Sequence, residues 1–385
     1  MGLMLKVLLG LSLTGICFTK VFSQADKVEF SSGKWSYWDN GGSKISKVSD
    51  QYKNYNAIDL KDNEIALLEN TDYENFRLEM DMAGSGMAGL GFRSNDFFNY
   101  ELMYFRLTSG GTLGAIQYVP VFSGSTGWML YPKNQGTVNF KADEWFHVTV
   151  EVKGELMKVF VNNSDKPDFE VRLLRRDLTK GKIFLKSEFS PCYYANVKIR
   201  SIDPSMIRDA SNKMITDKFN NKYLINWTVS EQFVLNEPLS FWALDRVTKE
   251  LKGWRKIDSN DEGIINLSKY FKHPKNTVCV KTILTLKDDT SKELIFDYAY
   301  SAMIVLNSKI IFFGKEMDDF GHLNDGEQRI DLSLNKGDNE LLLFITGDTE
   351  TYGGEKTYQG RTQAFNWGFI SRLNDYDGII DKETK

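Results

Sequence analysis

The chain has 385 residues, more than one small core needs, so two domains are the natural expectation. Acidic and basic residues nearly balance at a net charge of −4 and are interleaved, which argues against a nucleic-acid surface. Aromatic residues make up 13% and only 7 prolines occur, a composition of packed β domains rather than of disorder.

The N-terminus reads as an address. Met1–Lys6 carries one positive charge, Val7–Phe18 is apolar but short for a span, and Val21 and Ser23 suit signal-peptidase cleavage after Ser23. A secreted or periplasmic location is expected. Ile16 before Cys17 disfavours lipidation, and no later segment predicts membrane insertion. Two cysteines remain, Cys192 and Cys279, in different predicted domains; buried, unpaired thiols are expected. His147, His273 and His322 share no motif, so neither a metal site nor a cofactor is called for, and His147 reads as structural. Trp35–Gly42 is expected to be an edge strand and loop.

The most informative stretch runs from Phe76 to Trp128. Phe76–Met82, Gly89–Arg93, Asn99–Leu107 and Ala115–Val119 read as consecutive strands, each sorting its residues onto two faces. Phe76, Leu78, Met80 and Met82 share one face of the first, and Met103, Phe105 and Leu107 one face of the third. If neighbours pair as hairpins, Glu79, Asp81, Arg93, Tyr104 and Arg106 line one polar, aromatic face, with Gln117 and Trp128 at its margin. Such a face suits a sugar, because rings stack on pyranoses and forked polar groups take hydroxyls. A cross-strand ion-pair network on a solvated sheet is the competing reading. Glu144–Lys153, Glu155–Asn162, Lys182–Ser187 and Tyr193–Arg200 continue the strands, and with no convincing helix they predict a β-sandwich over residues 24–202.

Gly91-Phe92-Arg93, Asn99-Tyr100-Glu101, Tyr104-Phe105-Arg106, Gln117-Tyr118-Val119-Pro120, Trp128, Trp145-Phe146-His147-Val148 and Val152-Lys153-Gly154-Glu155 occur in a familiar order. With Tyr193–Ile199 as the closing strand, this segment resembles the concanavalin A-like (laminin G-like) jelly-roll domains of secreted bacterial proteins. Within these it resembles the 3-keto-disaccharide hydrolase-type, glycosidase-like domains. The resemblance implies a jelly roll and a carbohydrate partner, while the fold itself carries lectins, lyases and hydrolases alike. A retaining glycosidase needs two carboxyl groups about 5 Å apart. Glu79-Met80-Asp81 resembles the start of the family 16 endoglucanase motif, but Gly84 stands where its last Glu belongs. Glu101 matches the Tyr-Glu pair of the keto-disaccharide hydrolase-type domains, so Glu101 and Asp81 are the catalytic candidates. Glu101 falls on the Met103 and Phe105 side, where it would be paired or raised in pKa unless a bulge turns it outward.

Residues 203–221 break the alternation as a linker, with Pro204–Ala210 reading as a short helix or connecting segment. Tyr223–Val229, Leu239–Leu244, Asn276–Leu286 and Glu293–Tyr300 then read as strands. Ala302–Phe312 contains two strands joined at Asn307-Ser308, and Lys336-Gly337-Asp338-Asn339 turns the chain into Leu341–Leu343. With Trp367-Gly368-Phe369, these resemble a galactose-binding-like jelly roll over residues 222–373, although Ser308 replaces the glycine of that family's first hairpin. Tyr352 and Tyr358 lie in a loop that would reach a glycan or serve as an ordinary hairpin loop. Asp318, Asp319 and Asp325 cluster where a structural calcium ion would sit, without diagnostic spacing. Residues 374–385 read as a flexible tail. The expectation is an all-β, exported carbohydrate-binding protein. A glycoside hydrolase or lyase is the second reading, and a non-catalytic scaffold module the third.

Overall fold

The structure, a computed structural model, describes residues 26–27, 34–39, 42–46, 50–203, 223–234, 241–271, 277–315, 322–347, 355–356, 362–363 and 366–380. The segment expected to be a leader, residues 204–222 and the stretch bearing Tyr352 and Tyr358 lie outside the described residues.

Within them the chain is all-β, built as two antiparallel sandwiches, as the alternating patterns predict. The first packs two eight-stranded sheets face to face. The back sheet centres on Phe76–Gly84, paired with Phe146–Lys153 on one side and Cys192–Ser201 on the other. The front sheet runs through Ile116–Val121, Asn99–Arg106, Met87–Asp96, Lys182–Glu188 and Ile65–Leu68 to Trp35–Trp38. The core between them holds the predicted apolar sets, Phe76, Leu78, Met80 and Met82 against Met103, Phe105 and Tyr118. Trp35–Trp38 is an inner strand, since Lys44–Ile45 pairs outside it.

The expected hairpin between the first two strands of the Phe76–Trp128 stretch does not form. Phe76–Gly84 and Met87–Asp96 are consecutive in the chain but belong to opposite sheets. Two glycines permit the crossing: Gly84 has φ 126°, and a Cβ on Gly86 would lie 2.1 Å from the Ser190 carbonyl oxygen. Glu79 and Asp81 therefore project from the back sheet, while Tyr104, Arg106 and Gln117 project from the front sheet, and the single site face divides in two.

The second sandwich packs a six-stranded sheet, with Thr277–Leu286 and Gly337–Thr346 at its centre, on a four-stranded sheet that includes Thr290–Tyr298 and Gly368–Leu373. Asn307 and Ser308 form the predicted two-residue turn, with φ 47° and 66°. Of Leu239–Leu244, expected as a strand, the described residues from Phe241 onward belong to the helix Phe241–Glu250 instead. Leu244 and Val247 pack together with Cys279 and Met303, a helical spacing masked by the short apolar run. Both cysteines are buried and unpaired. The tail expected to fray from 374 is held as far as Ile380, whose N–H donates to the Thr285 carbonyl at 2.8 Å, and Lys292 pairs with Asp375.

The sandwiches join through a further apolar cluster. The outer face of the front sheet presents Ile65, Leu67, Tyr100, Leu102, Val119, Val121 and Phe184, and Tyr223, Ile264, Leu323 and Ile370 cover it. Buried polar contacts set the register. The Met129 N–H donates to Asn366 Oδ1 at 2.8 Å, and Asn266 Nδ2 donates to the Tyr131 hydroxyl at 3.0 Å. A carboxylate introduced at Leu102 would be buried without a partner, at a cost of several kcal/mol. Leu102→Asp in the full chain is expected to split one calorimetric unfolding transition into two, each below the wild-type melting temperature.

Candidate functional site

The predicted site residues occupy three places. Tyr104, Arg106, Gln117 and Trp128 meet at the junction of the sandwiches. Tyr104 and Gln117 are directly opposed on neighbouring strands. Gln117 Oε1 accepts from the Tyr104 hydroxyl at 2.7 Å and from Arg106 Nη2 at 2.8 Å, while Gln117 Nε2 donates to the Trp128 carbonyl at 2.8 Å. Arg106 Nη1 donates to the Gly114 carbonyl at 2.6 Å, and the guanidinium lies 5.6 Å from the Trp128 ring centre. Trp128 meets His322 of the second sandwich edge-on at 5.5 Å. Tyr104 is 2% exposed and Gln117 0%, so the Tyr104 ring offers no open face to a sugar. The cluster fastens the 3-10 turn Trp128–Leu130, whose Met129 N–H in turn donates to Asn366.

Arg93 and Glu101 are internal. Arg93 sits where the front-sheet register shifts, with φ 49°, and its guanidinium donates to the carbonyls of Glu74 at 3.0 Å and Gly154 at 2.6 Å. It is 4% exposed and ties two turns together. Glu101 keeps the Met103 and Phe105 side of its strand; no bulge turns it outward. It accepts from the Tyr118 hydroxyl at 2.5 Å and from the Arg175 N–H at 3.1 Å. The Tyr118 oxygen accepts in turn from the Leu174 N–H at 2.6 Å. Complete burial pushes the Glu101 carboxyl up to about 7, against the opposing pull of Tyr118 and the Arg175 amide. The arrangement straps Leu174 and Arg175 to the front sheet and leaves Glu101 no contact with solvent.

Glu79 and Asp81 lie on the outer face of the back sheet. Arg77 Nε donates to Glu79 at 2.8 Å and Arg77 Nη1 to Glu151 at 2.7 Å. Partial burial opposes ionisation of Glu79, but the hydrogen bond and charge of Arg77 outweigh it and hold the carboxyl below its ordinary range. Glu79 is thus ion-paired, as in the competing reading, but through Arg77 and Glu151 rather than with Arg93 or Arg106, which lie elsewhere. Asp81 differs in its surroundings. One carboxylate oxygen meets His147 Nδ1 at 2.7 Å, and the other accepts from Asn196 Nδ2 at 2.6 Å. Asn196 has φ 53° where the register of Cys192–Ser201 shifts, which brings its amide over Asp81.

Beside this trio stands a group of rings. Tyr52 stacks on Tyr193 with centroids 3.8 Å apart and planes 6° apart. Trp145 meets Tyr52 edge-on at 5.8 Å and Tyr55 at 4.8 Å. Tyr55 is 37% exposed and the other three rings are half-buried. The Trp145 indole N–H, although buried, has no partner among the described residues. Sequence reasoning missed these rings. Trp145 and His147 share a strand face and were open to reading; the register that sets Asp81 between His147 and Ala195 is long-range and was not.

Among the described residues no group of three or more His, Cys, Asp or Glu is arranged to hold a metal ion. Asp318 and Asp319 lie outside them, and Asp325 accepts from Arg372 Nε at 2.7 Å and the Tyr223 hydroxyl at 3.1 Å.

The first sandwich is a two-sheet jelly roll with a polar, ring-lined outer face on its back sheet. Residues 26–200 match the family described as a 3-keto-alpha-glucoside-1,2-lyase-like domain, in agreement with the resemblance drawn from the motifs. Among solved structures, a carbohydrate-binding module (CBM66) from Bacillus subtilis is 15% identical, covers 44% of this chain and 96% of its own, and has a TM-score of 0.29. A putative glycosyl hydrolase from Parabacteroides distasonis is 16% identical, with coverages of 43% and 99% and a TM-score of 0.30. A Bacillus subtilis protein of unknown function with a galectin-like fold is 10% identical, with coverages of 43% and 89% and a TM-score of 0.32. No curated protein matches the chain by sequence. No helix among the described residues is long and apolar enough to cross a membrane.

Glu101 makes stability depend on pH. Its carboxyl rises from an ordinary 4.5 to about 7 on folding, so the folded chain holds the proton more tightly. The resulting stabilisation is complete below about pH 4.5 and is lost as pH rises through about 7; it is on the order of 3 kcal/mol. Glu101→Gln is expected to flatten this fall, seen as urea midpoints that change less between pH 5 and 7.5 than in the wild type.

Proposed function

We propose that the protein binds poly- or oligosaccharide through the outer face of the back sheet, at the end where Tyr52, Tyr55, Trp145 and Tyr193 adjoin Asp81, His147 and Asn196. The observation that carries this reading is the grouping of four partly open rings beside a fixed carboxylate, imidazole and amide. The rings offer apolar faces to pyranose C–H groups. His147 Nε2, which has no partner among the described residues, and the Asn196 amide offer directed hydrogen bonds. Asp81 orients both, so the polar groups are held before a ligand arrives, which lowers the ordering cost of binding. The leader-like Met1–Ser23 supports an exported site of action.

The lyase-like family match supports a second reading, cleavage of a 3-keto-α-glucoside. A 3-keto group acidifies the C2 proton. A base removes that proton, the C1–oxygen bond breaks as the C1–C2 double bond forms, and the leaving oxygen takes up a proton. Of the earlier candidates, Glu101 is sealed, whereas Asp81 holds His147 Nδ1–H and thereby leaves Nε2 as the basic nitrogen.

A glycan array probed with the mature chain tests both readings. Binding to the best glycan is expected to fall at least about tenfold, or about 1.4 kcal/mol, in Tyr193→Ala/Trp145→Ala and to persist in the junction variant Tyr104→Phe. Unchanged binding in the double variant would remove this face as the site. An unsaturated keto-sugar product, lost in His147→Gln, would make the face catalytic.

A further inference from the structure

A cleft of about 240 Å³ opens between the two sandwiches, away from the back-sheet face. Phe122, Tyr131 and Arg176 line it from the first sandwich, and Asp258, Asn260 and Lys269 from the second. The walls are braced. Arg172 Nη1 meets Asp261 at 2.9 Å and Arg176 pairs with the same carboxylate, so two arginines that also share Glu155 of the first sandwich reach one acid of the second. The turn that carries the second wall is closed on itself, with Asn260 Oδ1 accepting from the N–H groups of Glu262 at 3.0 Å and Ile264 at 2.8 Å.

Charge decides what such a cleft can take. Arg172 and Arg176 are balanced by Asp261 and Glu155, and Asp177 by the buried Arg175 at 2.7 Å, which holds its carboxyl low despite partial burial. That leaves Asp258 and Lys269, one of each sign and both exposed, facing the space with no ion pair between them. A strongly anionic or cationic ligand gains little there. A neutral polyol meets one acceptor and one donor that are both exposed, the Asp258 carboxylate and the Lys269 ammonium. The Phe122 ring, 8% exposed with the Arg175 guanidinium 4.3 Å from its centre, is the aromatic part of the lining beside Tyr131.

We propose that this cleft binds one neutral, pyranose- or furanose-sized sugar unit, with contacts to both sandwiches. The site is separate from the back-sheet face and does not require that face to bind glycan. Because the ligand bridges the junction, it stabilises the joined state over the separated one by linkage.

The test uses the full mature chain with D-glucose, D-galactose and L-arabinose at 1–100 mM, read by saturation-transfer NMR and by thermal melting. Sugars at these concentrations stabilise proteins generally by exclusion, so the melting readout is the difference between wild type and variant. Saturable binding of at least one sugar is expected, weakened at least tenfold in Asp258→Ala/Lys269→Ala. Both positions are exposed, so the variant is expected to fold, and an unchanged circular dichroism spectrum checks this. The same binding is expected to survive in Tyr193→Ala/Trp145→Ala. Loss in the ring variant alone would assign the sugar to the back-sheet face and overturn the cleft proposal. No saturable binding of any of the three sugars, or full retention in Asp258→Ala/Lys269→Ala, would overturn it as well.

Discussion

The front sheet of the first sandwich turns apolar side chains outward as well as inward, and this second apolar face has to be covered. Leu102, Val119, Val121 and Phe184 point away from the core of their own sandwich yet are fully shielded. Burying side chains of this kind contributes about 1.5–3 kcal/mol each. The exposed ion pairs at the rim, such as Arg176 with Asp261, contribute about 0–1 kcal/mol. The apolar cluster therefore holds the sandwiches together, and the polar contacts of Asn366 and Asn266 choose which arrangement it takes.

Covering that face also decides where chemistry can occur. Polar groups trapped under the second sandwich must satisfy one another, and Tyr104, Arg106 and Gln117 do so around a single amide. Glu101 is a stronger case, a carboxyl raised by burial and committed to a hydroxyl and a backbone amide. Neither set can exchange its partners for a ligand without reopening the core. The back sheet keeps a solvated outer face, so its residues retain open valences. There Arg77, Glu79 and Glu151 compensate one another, while Asp81 directs His147 and Asn196 toward a group of rings.

Much of the first sandwich was legible from alternation, because a residue's side of a strand follows from its position alone. The inward faces of Phe76–Gly84 and Asn99–Arg106 and the burial of Glu101 all follow that rule. The helix at Phe241–Glu250 was hidden because six apolar-rich residues fit either period, and packing against Cys279 and Met303 decided between them. The candidate site was legible only as a set of residue types. Asp81 was singled out, but its neighbours Trp145, Tyr193 and Asn196 stand far along the chain.

The sequence by itself determined the all-β class, the in-or-out side of most strand residues, the Asn307-Ser308 turn and the presence of sugar-compatible residue types, since these rest on period and local backbone preference. Tertiary structure alone decided which strands pair, which sheet each face belongs to and which faces stay wet. Gly84 and Gly86 carry the chain across the sandwich where a hairpin was expected, and that one crossing separates Asp81 from Tyr104. Strand pairing and domain docking are set by contacts between residues distant in the chain, and strand periodicity carries no record of them.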